Sequence, residues 1–328
     1  MAMGRDGYHT PVLLDESLAG LKVRSGGTYL DGTAGGGGHS AAICAMLGRG
    51  GWLVSVDKDE SAVARTKEVR DGLGHPARWD VVKGDFADMR AICGGLGVAG
   101  LDGVLLDLGV SSEHLDDGAR GFSYGADAPL DMRMDRGGGV TAADVVNGYD
   151  EGRLASVIRR YGEEAWAGRI ASFICAQRAV RPIATTGELV RVIDMAVPAA
   201  VRHRKGVHPA RRTFQAIRME VNGELEALGK GLEAAVDLLL EGGRICVVTF
   251  HSLEDRAVKD RFRKGANPCV CPAEAPICVC GIEPSLKVVN ARPITASERE
   301  LAENRRARSA KLRVAERLPR GAITHKGG

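Results

Sequence analysis

The chain lacks the features that mark membrane-spanning, exported and strongly basic proteins. None of its 328 residues lies in an uncharged apolar stretch approaching about 18 residues, which excludes a membrane span. No apolar run follows Arg5, so we expect no secretory signal and a cytoplasmic protein. Lys and Arg number 45 against 42 Asp and Glu, which excludes a histone-like polycation but leaves room for a basic face.

Cysteine is concentrated in one short segment. Four of the eight cysteines are scattered among apolar residues, where we expect buried free thiols: Cys44, Cys93, Cys175 and Cys246. The other four lie close together in the sequence: Cys269, Cys271, Cys278 and Cys280. Reducing conditions disfavour disulfides, and four thiolates are a tetrahedral ligand set for a structural zinc ion. The Cys-x-Cys spacing differs from the common zinc pairing, so a zinc site and a loop of free or redox-labile thiols both remain open.

Short apolar runs alternate with helical patterns over the first third of the chain. The runs at residues 28–31, 52–57, 78–82 and 101–108 are typical of strands, and residues 40–47 and 61–72 carry helical spacing. This alternation predicts an α/β fold with a parallel sheet flanked by helices.

The alternation stops between residues 113 and 211, where glycine-rich turns and helical patterns contain no comparable apolar strand. A long helix is predicted near residues 219–240, and the strand pattern returns at 244–250. We therefore predict a mostly helical insertion after the fourth strand. The strands on either side of the insertion must then pair with each other.

A glycine-rich turn, Asp-Gly-Thr-Ala-Gly-Gly-Gly-Gly-His at residues 31–39, follows the first predicted strand and precedes a helix. Glycines let the backbone approach a ligand closely, and the helix start adds free amide donors. Asp57 ends the second predicted strand, where a carboxylate can accept both hydroxyls of a ribose. Asp85 and Phe86 follow the third strand and offer a polar contact and an aromatic surface for adenine. The carboxyl edge of the sheet is therefore suited to an adenosine ligand.

Two adenosine ligands must be weighed for this edge. Gly36-x-Gly38-x-x-Ala41 matches the loose dinucleotide fingerprint, which favours NAD and an oxidoreductase. Asp31 favours S-adenosylmethionine, because a carboxylate at the entrance of the turn repels a pyrophosphate and attracts the ammonium of a methionine moiety. The sequence has no Gly-Lys-Ser/Thr phosphate loop, so nucleoside triphosphate hydrolysis is not expected.

Further motifs follow one another along nearly the whole chain. They are His9-Thr-Pro-Val-Leu-Leu-Asp-Glu16, Asp31-Gly-Thr-x-Gly-x-Gly-Gly-His-Ser40, Leu105-Leu-Asp-Leu-Gly-Val-Ser-Ser112, Arg120-Gly-Phe-Ser123, Pro129-Leu-Asp-Met-Arg-Met-Asp135, Thr213-Phe-Gln-Ala-Ile-Arg218, Phe250-His-Ser-Leu-Glu-Asp-Arg256 and Arg305-Arg-Ala-Arg-Ser309. In this order they resemble the ribosomal RNA small-subunit methyltransferase H family, also called MraW.

The resemblance implies a Rossmann-like class I methyltransferase domain formed by residues 1–112 and 212–328. Residues 113–211 are then a mostly helical inserted domain for RNA recognition. The implied reaction transfers a methyl group from S-adenosylmethionine to the exocyclic N4 of a cytidine in the decoding region of 16S rRNA, with the small ribosomal subunit as partner. An RNA-binding assembly factor with a vestigial methyl-donor site is the non-enzymatic alternative.

By position, the resemblance places the cofactor contacts of the family on six residues: Gly37, Gly38, His39, Asp57, Phe86 and Asp107. A seventh contact falls on His114, where at least some relatives have glutamine. Asp107 is also the candidate acceptor for the target amine, although Asp107-Leu-Gly-Val lacks the prolines and the aromatic residue found in many DNA amino-methyltransferases. His39 could instead cap the helix start. Three further motif residues could line the cytidine pocket or serve the fold: His251, Glu254 and Asp255.

Residues 199–219 contain six Lys or Arg and no acid. Because the implied substrate is a polyanion, Arg211 and Arg212 in this run are predicted to hold the RNA backbone. A second basic run, at residues 292–326, is typical of a solvated face or tail. Aromatic residues are only 4% of the chain, so we expect a flipped or unpaired base in a tight pocket rather than stacking along an extended strand.

Overall fold

The apolar runs of the first third form strands, as the computed structural model shows for the described residues 11–111, 114, 117–202, 208–272 and 279–319. The elements up to Gly109 are α1 (Leu14–Leu21), β1 (Thr28–Asp31), α2 (Gly38–Leu47), β2 (Trp52–Asp57), α3 (Glu60–Leu73), β3 (Arg78–Lys83), α4 (Met89–Leu96) and β4 (Leu101–Asp107). The chain divides into two compact units, one made of Met1–Gly109 with Leu225–Gly328 and the other of Val110–Glu224.

The second unit is helical in its described part. Its helices are α5 (Ala142–Gly148), α6 (Glu151–Gly162), α7 (Ala167–Val180), α8 (Thr186–Ala196), the short α9 (Ala199–Arg202) and α10 (Ala210–Asn222). Their apolar faces meet in one core, to which Leu130, Ile158, Ile174 and Phe214 contribute fully or nearly fully buried side chains. Thr141 and Thr185 cap α5 and α8 with reciprocal hydrogen bonds, which satisfy amides that a helix start leaves open.

The chain then returns to the first unit. The remaining elements are α11 (Glu224–Leu238), β5 (Leu239–Thr249), α12 (Ser252–Ala266), β6 (Leu286–Val288), α13 (Glu298–Glu303) and β7 (Lys311–Arg317). Within the described residues, no helix combines the length and the apolar character needed to cross a bilayer.

One seven-stranded sheet, in the order β3-β2-β1-β4-β5-β7-β6, organises the first unit. Strands β1 to β5 are parallel, β7 runs antiparallel beside β5, and β6 runs antiparallel beside β7. Successive strand residues face opposite sides: Val104 packs in one core cluster and Leu105 in the other. The predicted α/β fold is confirmed, and so is the pairing of β4 with β5 across the insertion.

Two predicted element boundaries were wrong. The long helix expected at residues 219–240 is two helices, α10 and α11, because Gly223 adopts φ +59° and ends α10 with hydrogen bonds to the carbonyls of Met219 and Glu220. The insertion was expected to end at residue 211, but the second unit continues to Glu224. Its last helix, α10, buries Phe214 and Ile217 in the core of that unit.

The strands β6 and β7 were missed altogether. Leu312 and Val314 alternate with charged residues, which is a strand pattern, but the basic run that contains them was interpreted as a solvated face or tail. Arg313 is buried, and its Nε donates to Oδ1 of Asp255 at 2.5 Å. Part of the positive charge in this run therefore forms ion pairs within the fold.

The motif Arg120-Gly-Phe-Ser123 has a structural explanation in the second unit. The guanidinium of buried Arg120 donates to the carbonyl oxygens of Arg133 and Met134, both at 3.0 Å. Gly121 has φ +73°, and a Cβ there would stand 2.3 Å from the carbonyl oxygen of Pro129. Only glycine meets both requirements, because a side chain would be strained and would collide with backbone.

We expect Gly121→Ala to lower the free energy of unfolding by about 2–5 kcal/mol, from left-handed strain and steric collision together. The matched control is Gly139→Ala, at a φ of +84° with nothing near its would-be Cβ, where strain alone costs about 1–2 kcal/mol. Urea unfolding followed by circular dichroism measures both variants. Equal losses would contradict the close approach at Gly121.

Candidate active site

Three aspartates end three neighbouring parallel strands of the sheet. Asp31, Asp57 and Asp107 are the last residues of β1, β2 and β4, which lie side by side. The carboxyl ends of parallel strands share one edge, where open α/β sheets bind ligands. The turn between β1 and α2 lies at the same edge, because the amide of Gly35 donates to Oδ2 of Asp57 at 2.8 Å.

The glycine turn is shaped by close contacts. Gly37 has φ +80° and precedes α2, whose first residue is Gly38. A Cβ on Gly38 would stand 2.4 Å from the ring of Pro11, so the segment before α1 can cover the turn only where a side chain is missing. The free amides of the α2 start remain available to an acceptor.

Asp31 is fully buried, and its carboxylate stabilises the turn after β1 through hydrogen bonds. Its carboxylate accepts hydrogen bonds from Oγ of Ser40 at 2.6 Å and from the amide of Thr33 at 3.1 Å. Ser40 lies 2.7 Å from Oγ of Ser55, which accepts from Nε1 of Trp79. Burial raises the pKa of the Asp31 carboxyl to about 6, against the opposing effect of the Ser40 hydrogen bond. The contact predicted between Asp31 and an ammonium group stays a prediction. The hydrogen-bond partners that the structure shows for the Asp31 carboxylate are Ser40 and Thr33.

Asp57 and Phe86 are the residues predicted to contact the adenosine, and the Phe86 ring packs against Gly231 of α11. In addition to the hydrogen bond from Gly35, Asp57 accepts one from the amide of Asp59 at 2.9 Å. Its carboxylate therefore joins the turn after β1 to the segment after β2. Phe86 begins a single turn of 3-10 helix whose start Asp85 caps through the amide of Ala87. The Phe86 ring is half-buried, and these residues keep their predicted roles as proposals.

Asp107 and His39 form the least satisfied polar pair at this edge. Nδ1 of His39 lies 3.6 Å from Oδ2 of Asp107, and the amide of Asp107 donates to Oγ1 of Thr33 at 2.6 Å. Oδ1 of Asp107 and Nε2 of His39 are buried without a hydrogen-bond partner among the described residues. Buried polar atoms are normally hydrogen-bonded, so these two atoms indicate a position where a polar ligand group fits.

Burial and neighbouring negative charge favour the neutral form of Asp107, and burial favours the neutral form of His39. Burial, followed by the negative charges of Asp31 and Glu254, raises the pKa of the Asp107 carboxyl well above its ordinary value. Burial lowers the pKa of His39 to about 4, so its imidazole is neutral at pH 7. The side chain of Asp107 is nevertheless 23% exposed, which leaves its second oxygen accessible.

The residues after β5 have partners within the fold, and the alternative that they line a cytidine pocket stays a prediction. His251 and Glu254 form a reciprocal cap at the start of α12, and buried Glu254 accepts from the amide of Phe250 at 2.9 Å. Asp255 pairs with Arg313 and Lys311 of β7. Sequence reasoning left their roles open and missed the electrostatic effect of Glu254 on Asp107. No sequence pattern connects two acids so far apart.

The remaining predicted residues lie in other parts of the chain. His114 belongs to the second unit, where its ring stacks on Phe122 with centroids 4.9 Å apart. Arg211 and Arg212 are exposed on α10. Three cysteines of the predicted metal set come together on the loop after α12, and Cys278 lies outside the described residues. The motif that begins at His9 and the residues 203–207 of the basic run also fall partly or wholly outside them.

A parallel sheet with this edge, extended by an antiparallel strand beside β5, defines a Rossmann-like methyltransferase domain. The comparisons with known proteins agree. The chain belongs to the MraW methylase family, whose model matches residues 6–318. Membership of a methylase family decides against the oxidoreductase alternative.

The relatives are similar over almost their full length. The ribosomal RNA small subunit methyltransferase H of Ruminiclostridium cellulolyticum is 51% identical over 310 residues, which cover 94% of this chain and 99% of the relative. The protein of the same name from Symbiobacterium thermophilum is 51% identical over 314 residues, covering 96% and 98%. The crystal structure of an rRNA methylase from Streptococcus thermophilus is 9% identical, has a TM-score of 0.41, and covers 95% of this chain and 100% of that one.

Replacing Asp31 by asparagine tests its raised pKa through stability. Between its unfolded pKa of about 3.9 and its folded pKa of about 6, the folded wild type binds more protons than the unfolded chain. The wild type therefore loses stability as pH rises through this window, and Asp31→Asn does not. Urea unfolding should show the wild type losing about 2 kcal/mol relative to the variant between pH 4 and pH 7.

Asp127→Asn supplies a control of opposite sign. Asp127 is exposed, and a hydrogen bond from the Thr185 side chain, followed by one from the amide of Gly187, lowers the pKa of its carboxyl. The wild type should gain stability relative to this variant as pH rises through the range below about 4. A difference between wild type and Asp31→Asn that stays constant with pH would contradict the raised pKa of Asp31.

Proposed function

We propose that the protein transfers a methyl group from S-adenosylmethionine to the exocyclic N4 of a cytidine in the decoding region of 16S rRNA. The proposal places this reaction in the cytoplasm with the small ribosomal subunit as partner. It is supported by the family and by the names of the relatives. The observation that carries it is the partly exposed carboxyl of Asp107 at the sheet edge, with one oxygen left without a hydrogen-bond partner among the described residues.

Each predicted contact has a role at this edge. S-adenosylmethionine supplies a methyl group already activated on a sulfonium. The backbone of Gly37 and Gly38 accommodates the ligand closely, Asp57 accepts from its ribose, and Phe86 offers its ring to the adenine. Asp31 contributes negative charge beneath the turn, which favours a cationic amino acid end. His39 is the further polar group at this edge, and His114, which belongs to the second unit, keeps its place in the proposal as a contact implied by the family.

Asp107 is the proposed acceptor for the target amine. The N4 of cytosine is a poor nucleophile because its lone pair is delocalised into the ring, so a hydrogen bond that favours sp³ character at nitrogen assists attack. Positive charge develops on that nitrogen during transfer. Asp107 accepts this hydrogen bond in its ionised form, and a cationic S-adenosylmethionine would offset the burial and the charges of Asp31 and Glu254 that raise its pKa.

The activity test uses the purified protein, labelled S-adenosylmethionine and unmethylated small subunits or naked 16S rRNA, with mass spectrometry of the nucleosides. We expect the wild type to produce N4-methylcytidine. The single-turnover rate of Asp107→Asn should be lower by a factor of about 100 or more. The matched control is Asp237→Asn, which changes an exposed carboxyl on α11 and should leave the rate unchanged. No N4-methylcytidine from the wild type contradicts the function. An unchanged rate in Asp107→Asn contradicts only the role of that residue.

The second unit presents a surface suited to RNA. Arg211 and Arg212 are exposed near the start of α10. The side chain of Arg212 is 53% exposed, although its Nη1 lies 3.9 Å from Oε2 of Glu164 and donates to the carbonyl of Glu163. Nearby, the exposed rings of Tyr124 and His208 stack with centroids 5.1 Å apart. Arginines that contact phosphates and an aromatic face for a base are a common combination in RNA-binding proteins. The proposal assigns RNA recognition to this unit.

Reversing the charge of both arginines, Arg211→Glu with Arg212→Glu, should weaken RNA binding and reduce the slope of log affinity against log salt by about 2. The control is Arg263→Glu with Arg299→Glu, which makes the same change in net charge at two exposed positions of the first unit. Fluorescence anisotropy with labelled rRNA fragments at several salt concentrations measures both. Equal slopes for the two double variants would contradict a specific role for α10.

A further inference from the structure

The loop between α12 and β6 brings three cysteine sulfurs together. Sγ of Cys269 and Sγ of Cys280 lie 3.9 Å apart, and Sγ of Cys271 completes a group in which all three sulfurs are within 4.8 Å of one another. All three side chains are half-buried. The three cysteines come from the two ends of the loop, so the group ties the residue run after α12 to the run before β6.

The spacing of the sulfurs fits metal coordination better than a disulfide. A disulfide requires the two sulfurs to be about 2.0 Å apart. A tetrahedral zinc with Zn–S bonds of about 2.3 Å places neighbouring sulfurs about 3.8 Å apart. The 3.9 Å between Cys269 and Cys280 is close to this second value.

The orientation of the loop side chains is the reverse of what apolar burial would produce. Val270 stands between two of the cysteines and is 74% exposed, and Val279, beside Cys280, is 85% exposed. In a loop held together by the hydrophobic effect, the valines would be inside. Here the sulfurs converge and the valines face outward, so the loop conformation favours contacts among sulfurs over apolar burial.

A backbone amide also supports the sulfur group. The amide of Val279 donates to Sγ of Cys271 at 3.4 Å. Hydrogen bonds to the ligand atoms orient them and offset the charge of thiolates gathered around a metal. The surroundings therefore suit Cys271 as a thiolate.

We propose that Cys269, Cys271 and Cys280 bind one zinc ion as thiolates and that this ion fixes the loop between α12 and β6. An all-sulfur ligand set selects soft or borderline metals, and zinc binds it without redox chemistry in a reducing compartment. None of the three described ligands lies at the carboxyl edge of the sheet, so the ion would stabilise the fold rather than take part in methyl transfer.

The test measures metal in the full-length protein, purified under reducing conditions without chelator. We expect mass spectrometry of the elements to find one zinc per chain, and Cys269→Ser, Cys271→Ser or Cys280→Ser each to abolish most of it. The matched control is Cys175→Ser, which replaces a half-buried cysteine on α7 outside the cluster and should retain the zinc.

A second measurement needs no variant and so does not depend on how the variants fold. The cluster cysteines of the wild type should resist alkylation by iodoacetamide until a zinc chelator is added, and the chelator should lower the melting temperature. A protein without zinc that takes up none when zinc chloride is added, cysteines that alkylate equally with and without chelator, or a disulfide between Cys269 and Cys280 would each overturn the proposal.

Discussion

Burial of carboxyl groups that lie close to one another is the constraint on which the site depends. The pKa of Asp107 is raised by burial and by the charges of Asp31 and Glu254, and Asp57 adds to the same effect on Asp31. The protein tolerates this because Ser40, Thr33 and the amide of Gly35 hydrogen-bond the carboxylates. The carboxyl groups that stay ionised at this edge favour a cationic ligand, and S-adenosylmethionine carries positive charge on its sulfonium and on its ammonium group.

Glycine and aspartate have complementary tasks in the turn after β1. Asp57 holds the turn through the amide of Gly35 and also accepts from the amide of Asp59 after β2, while Gly38 admits the ring of Pro11 where any Cβ would collide. The same contacts that shape the backbone thus leave the start of α2 free for a ligand. This explains why a sequence motif of glycines and acids predicts function better than either residue type alone.

The sequence revealed the sheet core and the edge residues because each depends on local pattern. Strands β1 and β2 were predicted residue for residue, and the three aspartates follow from where the apolar runs end. The features that the sequence could not reveal depend on contacts between residues that are far apart in the chain. The buried series of hydrogen bonds from Asp31 to Trp79 joins residues of different elements. Strand β7 could be recognised only from its pairing with β5. The charge of Glu254 acts on Asp107 through space, which no spacing in the chain records.

The pairing of β4 with β5 has a consequence for how the molecule is made. These two strands are neighbours in the sheet, yet the whole inserted unit is synthesised between them, and β7 comes close to the end of the chain. The sheet beside Asp107 therefore cannot be completed on a nascent chain until the whole inserted unit and β5 have been synthesised. The helical unit, by contrast, is contiguous and can fold first, so the surface proposed to meet RNA forms before the centre that would modify it.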